Sequence, residues 1–120
     1  MTKIQDFRDF EVYKRSYNAA IEMYRITRGF PKEELYGLIS QIKRASTSVP
    51  LNIAEGYGKR ATPNDFKRFL LMAMGSCNEM RVLLDISEDL GFVRRDFHEK
   101  YEREYDELGR MLAVLRERWK

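Results

Sequence analysis

The chain has few of the residues that build chemical sites or cross-linked folds. Its 120 residues include one cysteine, Cys77, and one histidine, His98. A single cysteine excludes a disulfide within the chain, so we expect a protein of a reducing compartment, the cytoplasm. No apolar run approaches the ~20 residues that span a bilayer, and the first residues contain no apolar signal segment. We therefore expect no membrane association.

The scarcity of histidine and cysteine also argues against catalysis and metal binding. A carboxylate metal centre in a helical bundle needs two Glu-x-x-His pairs, and one histidine cannot supply them. Cys77 falls on an apolar helix face, and a Cys–His nucleophile would lack an orienting third group. The segment from Gly56 to Arg60 lacks the Gly-Lys-Ser/Thr ending of a phosphate loop and is typical of a helix end and turn. We expect no enzyme activity, catalytic residue, metal or cofactor.

Proline is scarce as well, and the intervals between turn signals are long. Apolar residues recur in them at helical spacing, which predicts four helices over about 8–28, 33–56, 63–90 and 94–119. No segment alternates with period two, so no sheet is expected. Short connections favour antiparallel neighbours. The sequence predicts an all-α, up-down-up-down four-helix bundle forming a single domain over 1–120. Pro50 cannot donate to the Ser46 carbonyl, which predicts a kink in helix two.

Helices one and three carry more apolar surface than one core requires. The predicted core face of helix one consists of Phe10, Tyr13, Tyr17, Ile21 and Tyr24. A second stripe lies opposite this face, and helix three repeats the pattern. Large exposed apolar patches usually mark partner surfaces, so we expect self-association. The candidate subunit-interface residues are Val12, Ala19, Met23 and Ile26 on helix one, and Met72, Leu83 and Leu90 on helix three.

A polar stripe follows one face of predicted helix two. Its members are Gln41, Arg44, Ser48, Asn52 and Glu55, at spacings that place them on one side of a helix. The favoured interpretation is hydrogen bonding at a boundary between helices or subunits, because buried polar groups must be paired. The alternative is a groove for a ligand or partner.

Cationic residues gather at one end of the predicted bundle. In an antiparallel order this end holds the first residues, the turn at 56–62 and the last residues, with nine Lys/Arg against five Asp/Glu and a net charge of about +4. Such a surface could hold nucleic-acid phosphates, and Tyr57 could stack on an unpaired base. The alternative is a solvated helix end whose cations complement helix dipoles. The candidate nucleic-acid-binding residues are Tyr57, Lys59, Arg60, Lys67, Arg68, Arg116, Arg118 and Lys120.

Residues 30–56 carry a long motif. It reads FP-x-x-E-x-YGL from Phe30, then QIKRA from Gln41, then S-V-P-x-NIAEG from Ser48. This pattern resembles the 23S rRNA intervening-sequence protein family, and the opening DFRDFEV, Gly75-Ser76 with Glu79, and Leu90-Gly91-Phe92 also match it. The resemblance covers nearly the whole chain. Tyr13 and Cys77-Asn78 depart from the commoner family residues without affecting the fold expectation.

The resemblance implies a bacterial four-helix bundle that assembles as a homopentamer, and it carries over no catalytic residue. The family is also similar to the accessory variability proteins of diversity-generating retroelements, basic pentamers that work with a reverse transcriptase. We therefore expect a non-enzymatic nucleic-acid-binding protein, with RNA favoured. The alternative is a structural scaffold whose partner is a protein, such as a reverse transcriptase.

Overall fold

The computed structural model describes residues 3–120 and contains four long helices. They are α1 (Glu11–Thr27), α2 (Leu38–Gly58), α3 (Pro63–Asp89) and α4 (Arg95–Arg118), with short 3₁₀ turns at Phe7–Asp9 and Lys32–Glu34. No strand occurs in the described part of the chain. The predicted all-α four-helix bundle is confirmed. The largest difference in bounds is at α2, which begins after Gly37 rather than at residue 33.

Each helix packs on its neighbour in sequence, and α1 also contacts α4. The turns are short and the bundle is 44 Å long, so successive helices run antiparallel. Pro63 opens α3, where its missing N–H needs no partner. Gly91 ends that region with a φ of +77°, a conformation that glycine adopts without strain. Its neighbour Phe92 donates back to the Ser87 carbonyl at 2.8 Å, which turns the chain toward α4.

Helical spacing predicts one core face on helix two, with Leu38, Ile42, Ala45, Val49 and Ile53, and one on helix three, with Phe66, Phe69, Leu70, Ala73, Cys77, Met80 and Leu84. All of these side chains are buried. On α2 the side chains of Ile42, Val49 and Ile53 are almost fully buried. On α3 the same holds for Phe66, Leu70, Ala73, Cys77, Met80 and Leu84. Helix α4 contributes Tyr101, Tyr105, Leu108 and Leu112. Burial of these side chains is the main force that holds the four helices together.

For α1 the predicted assignment of the two stripes is wrong beyond the first turn: Phe10 is buried and Tyr13 is half-buried against the core, as predicted, but the later residues of that stripe are not. Tyr17, Ile21 and Tyr24 are exposed, by 49%, 37% and 40%. The buried positions are instead Val12, Ser16, Ala19, Ala20 and Met23. Small side chains let a helix approach its neighbours closely, whereas the tyrosines keep their polar ends in water at the outer edge.

Three of the four α1 residues predicted to form a subunit interface therefore lie inside the subunit. Val12, Ala19 and Met23 are buried against the other helices and are not available to another copy, while Ile26 is half-buried against the core. On α3, Leu83 is also buried. Only Met72 and Leu90 of the candidate set are exposed, by 47% and 55%.

Helix α2 continues without interruption through Pro50. The hydroxyls of Ser46 and Thr47 donate to the Lys43 carbonyl, at 3.3 and 2.7 Å. Neither hydroxyl donates to the Ser46 carbonyl, to which Pro50 cannot donate because it has no N–H. The predicted kink at Pro50 stays a prediction. Within residues 3–120, every helix is too polar or too short to cross a bilayer.

Candidate nucleic-acid interface

Four aromatic side chains join the helix ends at one end of the bundle. Phe10 immediately precedes α1, Tyr57 lies in the last turn of α2, Phe66 in the first turn of α3, and Trp119 immediately follows α4. The ring centroids of Phe66 and Trp119 are 4.6 Å apart, edge to face. Those of Phe10 and Tyr57 are 5.5 Å apart, and those of Tyr57 and Phe66 are 6.1 Å apart. The start of α1, the end of α4 and the α2–α3 turn are therefore held together.

This aromatic cluster brings the predicted cationic residues to one surface, which we call the basic end. Each cation is close in sequence to a member of the cluster or to its neighbour Phe69. All are exposed except Lys67, which is half-buried. The residues of the basic end are Lys59, Arg60, Lys67, Arg68, Arg116, Arg118 and Lys120.

Most cations of the basic end have no acidic partner. Lys59 pairs with Glu55 at 3.6 Å, and both side chains are about half exposed, so water screens this pair. The six other cations form no ion pair among residues 3–120. At the opposite end, Arg94 pairs with Asp96 and Arg95 with Glu99. The basic end therefore presents six cations that form no ion pair among the described residues.

Aromatic rings contact three of these cations. The guanidinium of Arg60 lies 4.0 Å from the Tyr57 ring centroid and donates to the Tyr57 carbonyl at 2.9 Å. The Lys59 ammonium and the Arg68 guanidinium both lie over Phe69, at 4.9 and 4.7 Å from its centroid. Such cation–π contacts restrain long side chains that otherwise sample many rotamers.

The predicted stacking role of Tyr57 is wrong. Helix α2 extends to Gly58, two residues beyond the predicted end, so Tyr57 lies on its inner face rather than in an open turn. Its side chain is 8% exposed and packs against Phe10 and Phe66. A ring in this position cannot stack on a base, and its contribution to the site is to support Arg60.

Two of the five residues of the polar stripe on α2 bond across the boundary with α3. Arg44 forms an ion pair with Glu79, and the hydroxyls of Ser48 and Ser76 share a hydrogen bond. The remaining members bond within α2: Gln41 accepts from Arg44 at 2.9 Å, Asn52 donates to the Ser48 carbonyl at 2.8 Å, and Glu55 pairs with Lys59. The contacts of Arg44 and Ser48 fit the interpretation as bonding between helices, whereas those of Gln41, Asn52 and Glu55 lie within α2 and at its end.

Cys77 and His98 do not form a catalytic pair. Burial raises the pKa of the Cys77 thiol to about 12, so it is not a ready nucleophile. The two ring nitrogens of His98 lie 2.7 Å from Asp85 and 2.8 Å from Glu88, which engages both of them. Among residues 3–120, no cluster of three metal-ligating side chains is present.

An apolar groove lies between α1 and α2, and sequence reasoning missed it. It encloses about 370 Å³ and is lined mainly by carbon. Tyr17, Ile21 and Tyr24 form one side, and Leu51, 64% exposed, forms the other with Ala54. The α1 residues had been assigned to the core, which concealed the groove. In the sequence, the apolar residue Leu51, next to the core residues of α2, was the feature that could have indicated this groove.

The fold and the basic end define a helical-bundle protein with a net cationic surface at one end. The chain belongs to the 23S rRNA-intervening sequence protein family, whose model matches residues 8–114. It is similar in structure to a Bacteroides thetaiotaomicron protein of unknown function from the S23 ribosomal protein family, with a TM-score of 0.79 and 21% identity. The alignment covers 88% of this chain and 95% of that one, which shows the common fold. No curated protein matches the chain significantly.

Proposed function

We propose that this is a non-enzymatic, cytoplasmic nucleic-acid-binding protein that holds phosphates at the basic end. The observation that carries the proposal is the set of exposed cations without acidic partners at the meeting point of the helix ends. Uncompensated Lys and Arg side chains displace condensed counterions from a nucleic acid, and this release drives binding.

Complementation of helix dipoles does not account for these charges. Lys59 and Arg118 lie near the C-terminal ends of α2 and α4, where a cation is stabilised by the dipole. Lys67 and Arg68, however, lie in the second turn of α3, near its N-terminus, where the dipole offers a cation no stabilisation. Their presence there supports a requirement for cations that comes from outside the helix.

RNA is the favoured ligand because the family is described as one of 23S rRNA-intervening sequence proteins. Phosphate contacts alone do not distinguish RNA from DNA, since both present the same charged backbone. The choice between the two nucleic acids must therefore come from a direct comparison.

The proposal is tested by binding of labelled structured RNA, single-stranded RNA and duplex DNA over a salt series. The test variant is Lys59→Glu/Arg60→Glu. The matched control is Arg94→Glu/Arg95→Glu, which makes the same change of charge at the opposite end. We expect wild-type affinity in the micromolar range or better that falls steeply with salt. Binding should be lost in the test variant and retained in the control.

Two results would contradict the proposal. One is an absence of binding to all three ligands even at low salt. The other is an equal loss in both variants, which would mean that overall charge matters and the basic end does not. If duplex DNA is bound more tightly than both RNAs, the basic end is retained as the site and the preference for RNA is wrong.

We also propose that the chain self-associates, and the support is apolar surface that the bundle does not cover. This surface comprises the α1–α2 groove and a stripe on α3, of which Leu71, Val82 and Ile86 are exposed by 51%, 56% and 40%. An apolar groove and a separate apolar stripe on one chain suit head-to-tail contacts, which form a ring when the rotation closes. The subunit number of five rests on the family resemblance alone.

Sedimentation of Leu51→Glu tests this self-association. A buried, unpaired carboxylate in the groove should dissociate the assembly. The control is Val114→Glu on α4, an exposed apolar residue outside both faces. A monomeric wild type, or an assembly unaffected by Leu51→Glu, would contradict the use of the groove between copies.

The second candidate function is a scaffold that binds another protein, and the exposed groove is the observation that favours it. The same variant separates the two uses of this surface. If Leu51→Glu dissociates the oligomer, the groove is consumed by assembly and the scaffold loses its surface. If the oligomer persists with Leu51 exposed to solvent, the groove is open to a protein partner.

A further inference from the structure

The cations of the basic end differ in how firmly they are held. Lys59 and Arg68 lie within 5 Å of one ring centroid, that of Phe69, so their charges are less than about 10 Å apart. Arg60 is restrained twice, by the Tyr57 ring and by the Tyr57 carbonyl. Phe69 and Tyr57 are themselves buried, so both supports are fixed. We call the three cations and their two rings the α2–α3 corner.

The α4 end of the same surface has no comparable supports. Arg116, Arg118 and Lys120 are exposed and, among residues 3–120, contact no ring face and no carboxylate. Each would lose side-chain freedom on holding a phosphate, and this loss weakens binding. At the α2–α3 corner, part of this side-chain freedom is already lost when the chain folds.

Stacking on a ring leaves an arginine able to bind phosphate. The guanidinium donors lie in the plane of the group, so contact through its face directs the N–H edges outward. Lys59 keeps its rotatable ammonium donors, and its pair with Glu55 is exposed and therefore weak. Lys59 and Arg68 at this separation, with Arg60 next to Lys59 in the chain, can contact one phosphate or neighbouring phosphates of a strand.

We infer that Phe69 is a positioning residue for phosphate binding, and that the α2–α3 corner rather than the α4 end forms the main contacts with the nucleic-acid backbone. The inference rests on the proposed function, since it assigns the phosphates to particular cations. Phe69 touches no ligand in this scheme and acts by holding Lys59 and Arg68. Its ligand class is a single-stranded or loop phosphate backbone, which can follow a small, convex corner.

The test uses a fluorescent single-stranded oligouridine and the full chain, with affinity measured over a salt series. Phe69→Met keeps an apolar side chain and removes the ring, and Phe69→Tyr keeps the ring. We expect Phe69→Met to weaken binding by about threefold to tenfold, through lost orientation of two side chains. The slope of log affinity against log salt should stay unchanged, because no charge is removed. Phe69→Tyr should bind like the wild type.

Two further variants calibrate the slope. Arg68→Gln removes one phosphate contact and should reduce its magnitude by about 0.7, the value for a single strand. Arg118→Gln removes the same charge at the α4 end and should leave the slope nearly unchanged. Equal effects of these two variants would overturn the assignment to the α2–α3 corner. Wild-type affinity of Phe69→Met would overturn the positioning role.

Circular dichroism and thermal unfolding establish which variants are folded. If Phe69→Met does not fold, Arg68→Lys decides, because it keeps the charge and loses the planar group that stacks on Phe69. Weaker binding with an unchanged slope supports the inference, and wild-type binding overturns it. Failure of the proposed function is recognised by a different result, because Lys59→Glu/Arg60→Glu would then bind as the wild type does. If that variant loses binding while Phe69→Met does not, only the role of Phe69 is wrong.

Discussion

Gly56 and Phe69 are in such close contact that a Cβ atom built on Gly56 would lie 2.6 Å from the Cβ of Phe69. It would also lie 3.0 Å from the ring of Phe66. Real Cβ atoms do not approach so closely, so this glycine allows α2 and α3 to meet at their connected ends. Because Lys59 and Arg68 lie close to Gly56 and Phe69 in the sequence, the same contact also sets the distance between their backbones.

Gly56→Ala should therefore destabilise the protein by about 1–3 kcal/mol, the range for an overpacked core, despite the better helix propensity of alanine. Urea denaturation measures the change. The control is Gly109→Ala in α4, where an added Cβ meets nothing within 4 Å. That substitution should stabilise by about 0.5–1 kcal/mol. Equal stability of the two variants would show that the α2–α3 contact is looser than described.

Arg15 joins α1 to α4 through two carboxylates. Its Nε and Nη2 atoms donate to Glu104 at 3.0 and 2.5 Å, and its Nη1 donates to Glu107 at 2.9 Å. Arg15→Lys keeps the charge and loses the planar fork, so we expect a loss of about 1–2 kcal/mol. Urea denaturation at low salt is the measurement, with Arg25→Lys, an exposed pair within α1, as a control expected to change little.

The same bridge predicts a response to acid. The Arg15 hydrogen bond lowers the pKa of Glu107 below its ordinary value of 4.5. A carboxylate whose pKa is lower in the folded chain stabilises the fold above that value and loses its contribution as pH falls. In Arg15→Lys, the free energy of unfolding should therefore fall less steeply as the pH is lowered below about 5. A wild-type acid profile in this variant would contradict the role of the bridge.

Tyr105 is fully buried in α4, and its hydroxyl has no hydrogen-bond partner among the described residues. An unsatisfied buried hydroxyl costs free energy that its removal recovers. Tyr105→Phe should stabilise the protein by about 1 kcal/mol in chemical denaturation. The matched variant is Tyr101→Phe one turn earlier, with little change expected. Destabilisation of Tyr105→Phe by a similar amount would mean that the hydroxyl is hydrogen-bonded.

Cys77 predicts a loss of stability in alkali. Burial raises the pKa of its thiol from 9.0 to about 12. The folded chain therefore holds this proton more tightly than the unfolded chain, and stability is lost as pH rises from about 9 toward 12. The contribution approaches about 1.4 kcal/mol per pH unit. Cys77→Ala should show a shallower decline between about pH 8 and 11, whatever its stability at neutral pH. Parallel curves would contradict the prediction.

Sequence patterns predicted most of the fold and part of the site. Glycine and proline signals with helical periodicity located four helices. On α2 and α3 the spacing of the apolar residues identified the core face, although α3 also carries a second apolar stripe. Charge placement along antiparallel helices also predicted that Lys59, Arg60 and Arg68 share one end. The aromatic rings that hold these cations were not predicted, because contacts such as Lys59 on Phe69 depend on how the helices pack.

Two features were decided only by the tertiary structure. Helix α1 has two apolar stripes of similar strength, so periodicity could not select the inner one. Packing selected the stripe with Ser16, Ala19 and Ala20, because small residues allow close approach, and it left Tyr17 and Tyr24 on the surface. Likewise, α2 extends two residues beyond its predicted end, and this places Tyr57 on the inner face of the helix. The sequence by itself determined the helices and the charge at their ends, since both depend on neighbours along the chain. Which faces turn inward depends on neighbours in space.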